Sequence, residues 1–449
     1  MHVAVVGQGY VGLTGAVALT LQGHHVTGVE QLPARLSSLR SGQAPVFEPG
    51  LPEQLAAALA TGRLAFTDDL TRSHAHTPFD MVLIAVGTPP SPTGAADLSQ
   101  VHAVLDETTT LTPPPLVVLK STVPPGTSSR LAEAHPGLRD RYAYNPEFLN
   151  QGSALEDWAT PARIVAGTWH PDALHGLQHL YTGVASPWVA TTPTSAELVK
   201  YASNAYLATK ISFANEISRL CHLPDADIDQ VMRGVGYDPR IGHAFLQPGI
   251  GYGDSCLPKD TAALAHWAAQ QHLPTPLLHA TIGVNDAQLD LPLDILDAEL
   301  GDQLVHATVA VLGVRYEPWS DDLRAAPSRH VVPALLERAA HVRVWDPSTP
   351  ADTITHLFPG AHAAPDLTTA LTGAHAAVLL TEWPQTVETD WSAAAPLLTA
   401  PRLVIDGKNC LHPEHLAGLP IRYRSIGNRR PTTHNPNPNP DLTNPQYEA

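Results

Sequence analysis

Cysteine is scarce in this chain: three in 449 residues, at positions 221, 256 and 410. An odd number so widely spaced excludes a disulfide framework and fits a reducing compartment. No apolar stretch approaches the roughly 20 residues that a membrane helix needs. The start, Met1-His-Val-Ala-Val-Val, has no basic segment and runs directly into a strand pattern, so no signal peptide is expected and a cytoplasmic location is. Positive charge is also short, with 26 Lys and Arg against 43 Asp and Glu and a formal charge of −17. That balance argues against a nucleic-acid partner, which requires a basic face, while an anionic small ligand would need locally placed cations. Enough chain remains for two or three domains with large cores, at 43% hydrophobic residues.

Lysine is the scarcer of the two basic residues. Only five are present, Lys120, Lys200, Lys210, Lys259 and Lys408, and the remaining basic residues are arginine. Arginine stays protonated in proteins, whereas lysine can be tuned as an acid, a base or a compact charge. In a composition that favours arginine, the retained lysines are candidates for chemistry; chance retention is the plain alternative.

What is present begins with a dinucleotide fingerprint. The strand Val3-Ala-Val-Val6 leads into Gly7-Gln-Gly9-Tyr-Val-Gly12, and residues 13–21 read as a helix. Gly7 permits the tight turn, Gly9 lets a pyrophosphate near the backbone, and Gly12 allows close helix packing. A second strand, His25-Val-Thr-Gly-Val29, ends at Glu30, an acid placed to bind both ribose hydroxyls and repel a 2′-phosphate, so NAD is favoured over NADP. Further parallel strands are expected at 79–86, closed by Gly87-Thr88-Pro-Pro, and at 116–119, closed by Lys120-Ser121-Thr122. Ligands lie beyond the carboxyl ends of such strands, although each hydroxyl there also reads as a cap or turn residue.

From about Thr194 the pattern turns helical, and Lys200 and Asn204 stand four apart on one helical face among apolar neighbours. A further helical stretch is expected over roughly 260–301. Between them lies Gly249-Ile-Gly-Tyr-Gly-Asp-Ser-Cys256-Leu-Pro-Lys259-Asp260. Its glycines would let the backbone approach a ligand, and Lys259 with a following helix N-terminus would favour the thiolate. By itself Cys256 reads equally as a packed, inert thiol. A second α/β pattern starts near Val305, with strands at 307–312, 342–346, 376–380 and 403–406, and the Asn-Pro repeats from about Asn428 should be disordered.

Taken together, VVGQGYVGL, FEPGL, VGTPP, KSTVPPGT, NPEFLNQG, ELVKYASNAYLATKISFANE, DPRIGHAFLQPGIGYGDSCLPKD, SDDLR and DGKN resemble, in order, the nucleotide-sugar 6-dehydrogenase family from residue 1 to about 425. The resemblance implies an α/β fold with two Rossmann-like doubly wound domains joined by an all-α central dimerisation region. The boundaries it implies are an NAD-binding domain at 1–193, a helical domain at 194–301, a nucleotide-sugar (UDP)-binding domain at 302–427 and a disordered tail at 428–449. It implies NAD-dependent four-electron oxidation of a sugar alcohol to a carboxylate, UDP-glucose to UDP-glucuronate first among the substrates, through a thiohemiacetal and thioester on Cys256. Lys200, Asn204 and Asp260 would manage the alcohol proton and the oxyanion, and Glu147 with Thr122 would position the hydrolytic water. Gly7, Gly9, Tyr10, Val11, Gly12, Glu30, Arg35, Gly87, Thr88, Thr122 and Arg324 would fall on the NAD side. Glu147, Phe148, Leu149, Asn150, Lys200, Asn204, Gly249, Tyr252, Gly253, Lys259 and Tyr316 would face the nucleotide sugar, with Arg240 reaching a neighbouring subunit's substrate in a homodimer or higher homo-oligomer. No metal is implied.

Four departures qualify this. Gln151 stands where the family usually has a second glutamate, and it cannot act as a base. Glu317 replaces a lysine near the anionic ligand, Asp254 replaces a glycine before the cysteine, and Leu257 replaces a phenylalanine. A different nucleotide sugar, such as GDP-mannose or a UDP-N-acetylhexosamine, and a non-catalytic nucleotide-sugar-binding homologue are the alternatives.

Overall fold

A computed structural model describes residues 1–222, 226–253, 256–318, 323, 326–338 and 341–429. Arg324, Asp254 and the tail beyond 429 lie outside the described residues. The chain divides into two units, Met1–Ser203 with Ala262–Pro274, and Asn204–Thr261 with Thr275–Ala449.

The first unit is built on β1 (His2–Val6), β2 (His25–Val29), β3 (Leu64–Thr67), β4 (Met81–Ile84), β5 (Leu116–Leu119), β6 (Tyr142–Tyr144), β7 (Ile164–Thr168) and β8 (Trp188–Thr191). They form one sheet in the order β3-β2-β1-β4-β5-β6-β7-β8, parallel except between β6 and β7. Alternate residues of β1 enter different cores, Val3 and Val5 one and Ala4 and Val6 the other. Burial on both faces explains why the central strands are continuous apolar runs. The strand order reverses between β1 and β4, which opens a crevice at their carboxyl ends.

The second unit repeats that plan with β9 (Thr308–Leu312), β10 (His341–Trp345), β11 (His362–Ala363), β12 (Ala376–Leu379), β13 (Leu403–Asp406) and β14 (Arg422–Ser425), ordered β11-β10-β9-β12-β13-β14 and all parallel. Val309 and Val311 face one core, Ala310 and Leu312 the other. The expected two Rossmann-like sheets are therefore present.

The helical centre differs in detail from expectation. The helix Pro193–Cys221 has 29 residues, about 43 Å of chain at the usual rise, and the division between the units falls inside it. The single stretch expected over 260–301 is three helices, Leu257–Gln270, Pro276–Gln288 and Leu291–Leu300. Pro276 and Pro292 stand in the first turns of the last two. A proline there has no N–H to offer the preceding turn, so each begins a new helix.

Candidate active site

The glycine-rich turn meets the geometric demands of a dinucleotide site. Gly7 has φ +90°, and a Cβ on it would lie 2.8 Å from the Ala85 carbonyl oxygen. At Gly12 a Cβ would sit 1.7 Å from the Gly7 carbonyl oxygen, whereas Gly9, directly before the helix Tyr10–Leu21, has open space. Val11 lies in the first turn of that helix. Glu30, buried at the end of β2, accepts the Leu32 N–H at 2.9 Å and has Arg35 Nη1 at 3.6 Å. Thr88 Oγ1 donates to the Thr122 carbonyl at 2.9 Å, which joins the loops after β4 and β5, and Gly87 beside it is open. Tyr10 is engaged by the protein: its hydroxyl meets Glu48 and the Asn150 carbonyl. Glu48, itself buried, also accepts the Gly152 and Ala154 N–H groups, each at 2.8 Å.

The loop after β6 holds a buried ion pair. Lys200 Nζ lies 2.8 Å from Glu147 Oε1, and Glu147 Oε2 accepts the Leu149 N–H at 2.7 Å. Burial opposes the Glu147 charge, but Lys200 and that N–H outweigh it and hold the carboxyl below its ordinary range. Phe148 lies under the Arg163 guanidinium at 3.7 Å, with the Lys200 ammonium 5.4 Å from its ring. Leu149 packs on the sheet's core, and the Asn150 N–H donates to Asp157 at 2.8 Å. Behind the pair, Lys120 Nζ donates to Asn145 Oδ1 at 3.0 Å and to the Tyr181 hydroxyl at 3.2 Å. Burial pushes the Lys120 ammonium down to about 7, the charge of Lys200 adding to the effect and that of Glu147 opposing it.

The second unit holds the thiol. Cys256 directly precedes the helix Leu257–Gln270, and its carbonyl accepts the Asp260 N–H at 2.9 Å. Asp260 is buried, with Oδ2 accepting from Asn204 Nδ2 at 2.6 Å and Oδ1 paired with Lys259. Lys408 Nζ sits 4.4 Å over the Tyr316 ring, donates to the Tyr316 carbonyl at 3.0 Å and lies 3.1 Å from Glu382. Burial pushes the Tyr316 hydroxyl up to about 12, with Lys408 opposing. Tyr316 is also hydrogen-bonded to the Gly253 backbone. Arg240 is exposed and bound to its neighbour Asp238 at 2.6 Å.

The predicted residues thus fall in two groups. Thr122, Glu147 and Lys200 belong to the first unit, and Asn204, Cys256, Lys259 and Asp260 to the second. Two glycines of the cysteine loop lie close to protein groups. A Cβ on Gly251 would meet Asn285 at 2.8 Å and one on Gly249 the Gly407 carbonyl at 3.2 Å, so their missing side chains make room for protein groups. Sequence reasoning gave no role to Glu48, although it lies in the quoted FEPGL, or to Lys120 and Lys408, although the lysine count singles them out. Asn285 and Gln288 carried no signal beyond their shared helix face.

Residues 1–185, 194–287 and 310–413 match in turn the NAD binding, central and UDP binding domains of the UDP-glucose/GDP-mannose dehydrogenase family. The chain belongs to that family. The UDP-glucose 6-dehydrogenase of Rhizobium meliloti (strain 1021) is 39% identical over 438 residues, covering 95% of this chain and 99% of the relative. That of Pseudomonas aeruginosa is also 39% identical, covering 96% and 98%. Among solved structures, a UDP-glucose dehydrogenase from Pyrobaculum islandicum is 36% identical with a TM-score of 0.84, covering 95% of this chain and 97% of its own. A UDP-D-ManNAc dehydrogenase from Pyrococcus horikoshii gives 0.84 at 25% identity, covering 95% and 99%. This member of the family is an NAD-dependent oxidoreductase. Its first unit fits that cofactor: open backbone at Gly9, no room for a side chain at Gly12, and the Glu30 carboxylate at the end of β2.

Proposed function

We propose that the chain oxidises the C6 alcohol of UDP-glucose to the carboxylate of UDP-glucuronate, with Cys256 as covalent nucleophile. The observation that carries this is the Asp260 cluster: a buried carboxylate held by Asn204 and Lys259, in the first turn of the helix that Cys256 precedes. NAD, when bound against Gly9 and Glu30, supplies the hydride acceptor for each of two oxidations. Lys200 and Asn204 donate hydrogen bonds to the C6 oxygen, and a water held by Asp260 takes the alcohol proton. The Cys256 thiolate, favoured by the helix N-terminus, adds to the aldehyde carbon, and the resulting thiohemiacetal becomes a thioester on loss of a hydride from its carbon and a proton from its oxygen, the proton leaving through the water held by Asp260. Glu147 and Thr122 hold the water whose addition expels the thiolate and leaves the carboxylate. Glu147, held ionised by Lys200, orients that water as an acceptor.

UDP-glucose is favoured over other sugars by the names of the relatives that are 39% identical. A different nucleotide sugar is the second reading, motivated by Glu317, whose charge acts on Lys408. The enzyme would work as a homodimer or larger homo-oligomer. Tyr206, Phe213 and Leu220 recur every seventh residue on the long helix and are 63%, 49% and 54% exposed, an apolar stripe suited to a second copy. Among the described residues no helix is long and apolar enough to cross a membrane; the cytoplasm suits a thiol that must stay reduced. The test is NADH formed per sugar consumed, with NAD in excess and UDP-glucose, GDP-mannose or UDP-N-acetylglucosamine limiting. Two equivalents with UDP-glucose are expected. Two with another sugar alone would favour the second reading, and binding without NADH from any of them would identify a lapsed enzyme.

A further inference from the structure

Residues 249–252 have no helix or strand around them, so their backbone groups must find partners elsewhere. Three buried amide side chains serve four of them. Asn215 Oδ1 accepts the Gly249 N–H at 2.8 Å, and Gln288 Nε2 donates to the Gly249 carbonyl at 2.7 Å. Asn285 binds Tyr252 twice, accepting its N–H at 2.6 Å and donating to its carbonyl at 3.1 Å. The Ile250 N–H goes to the Gly407 carbonyl at 2.9 Å. Arg219 fixes the orientation of Gln288: its Nε and Nη2 donate to Gln288 Oε1 at 3.0 and 2.7 Å, and since arginine only donates, the Gln288 NH2 must face Gly249. Gly251, at φ +97°, leaves the space that Asn285 Oδ1 occupies.

We propose that Asn285, with Asn215 and Gln288, is a positioning residue for Cys256. The amides fix the chain upstream of the thiol, within about 14 Å of chain reach from Tyr252. The Asp260 N–H, bonded to the Cys256 carbonyl, fixes it downstream. An amide suits this place for two reasons. It serves an N–H and a carbonyl together, which a carboxylate cannot do, and it adds no charge that would raise the thiol pKa. The proposal rests on Cys256 being the nucleophile and divides the reaction in two. Oxidation of the alcohol precedes sulfur attack and is indifferent to the clamp, whereas the second oxidation depends on it.

The test uses the full-length enzyme with NAD and UDP-glucose and the variants Asn285→Asp, Gln288→Glu and Cys256→Ser. Gln288→Glu removes the donor to Gly249 but leaves Arg219 an anionic partner, so it keeps the fold if Asn285→Asp does not. The expectation is a kcat lowered by about tenfold to a hundredfold with the KM for NAD unchanged. A rapid first equivalent of NADH should precede a slow second, and in Asn285→Asp the iodoacetamide alkylation of Cys256 should move to higher pH. If Cys256→Ser is inactive while the folded amide variants keep the parent's kcat, NADH time course and alkylation profile, the clamp is overturned. If Cys256→Ser still forms two NADH per sugar, the nucleophile reading fails and the proposal falls with it.

Discussion

The two Rossmann-like sheets use one plan for different ends. Each has a glycine after its first strand at large positive φ, +90° for Gly7 and +94° for Gly313, whose N–H is bonded to the end of the neighbouring strand. Each has an acid just after that neighbour, Glu30 or Asp346, and a tyrosine three residues after the glycine, Tyr10 or Tyr316. In the first sheet a helix starts at Tyr10 and the acid has one backbone N–H and the Arg35 guanidinium as partners, which leaves the helix dipole and part of the carboxylate's accepting capacity to a dinucleotide. In the second, residues 313–318 are not helical, and Asp346 accepts the N–H groups of Val314, Ser348 and Thr349 and the Trp383 indole. Its acid is occupied by the fold. The fifth strands diverge in sign: buried Lys120 follows β5, while buried Asp406 ends β13 and accepts from the Lys408, Cys410 and Leu411 backbone and the Tyr423 hydroxyl. A shared topology therefore fixes where polar groups stand, and their partners decide which ones are left for a ligand.

The largest effects should come from the turns. Gly12→Ala is expected to abolish measurable NAD binding by calorimetry, because its Cβ would fall 1.7 Å from a carbonyl oxygen. Gly313→Ala, with Thr381 Oγ1 at 2.3 Å, should instead lower stability by about 3 kcal/mol in denaturant unfolding and leave NAD affinity intact. The acids sharpen the contrast. Asp346→Ala strands three backbone N–H groups and an indole and should cost about 3 kcal/mol of stability, whereas Glu30→Ala should weaken NAD about tenfold and narrow its preference over NADP. Equal losses of NAD affinity in the two variants would break the comparison.

Lys120 predicts a pH dependence. Its folded pKa of about 7 lies below the ordinary lysine value of 10.5, so the unfolded chain binds the extra proton between them. Stability should rise with pH across that window, by a total on the order of 5 kcal/mol, and be flat in this term below it. Lys120→Met should remove that slope in unfolding curves taken at several pH values. The smallest effects belong to the tyrosines. Tyr10→Phe should lose about 1 kcal/mol of stability with its Glu48 bond, and Tyr316→Phe a similar amount of nucleotide-sugar affinity through Gly253.

The central strands were legible because two-sided burial writes them as apolar runs; 116–119 and 403–406 coincide with β5 and β13. Edge strands such as His362–Ala363 and Arg422–Ser425 are short or half polar and give no such signal. Glycine 7, glycine 12 and the acid at 30 were legible because one local turn needs them together. The Lys200–Glu147 pair and the Asn285–Tyr252 bonds join distant segments, and periodicity says which face is buried without saying what it meets. Each of the five lysines is buried or bonded. Lys120 and Lys200 are buried, Lys259 and Lys408 pair with acids, and Lys210 caps the Ile241 carbonyl.

Trp158 makes the first unit its own optical probe. The indole is buried against the helix Tyr10–Leu21, where a Cβ on Gly15 would lie 2.6 Å from its ring, and the Lys120 ammonium sits 4.6 Å from its centroid. A full charge over an indole face shifts its emission, so the part of the intrinsic fluorescence that Trp158→Phe removes from the eight tryptophans should follow both the proton on Lys120 and any movement of the helix Tyr10–Leu21, without a label.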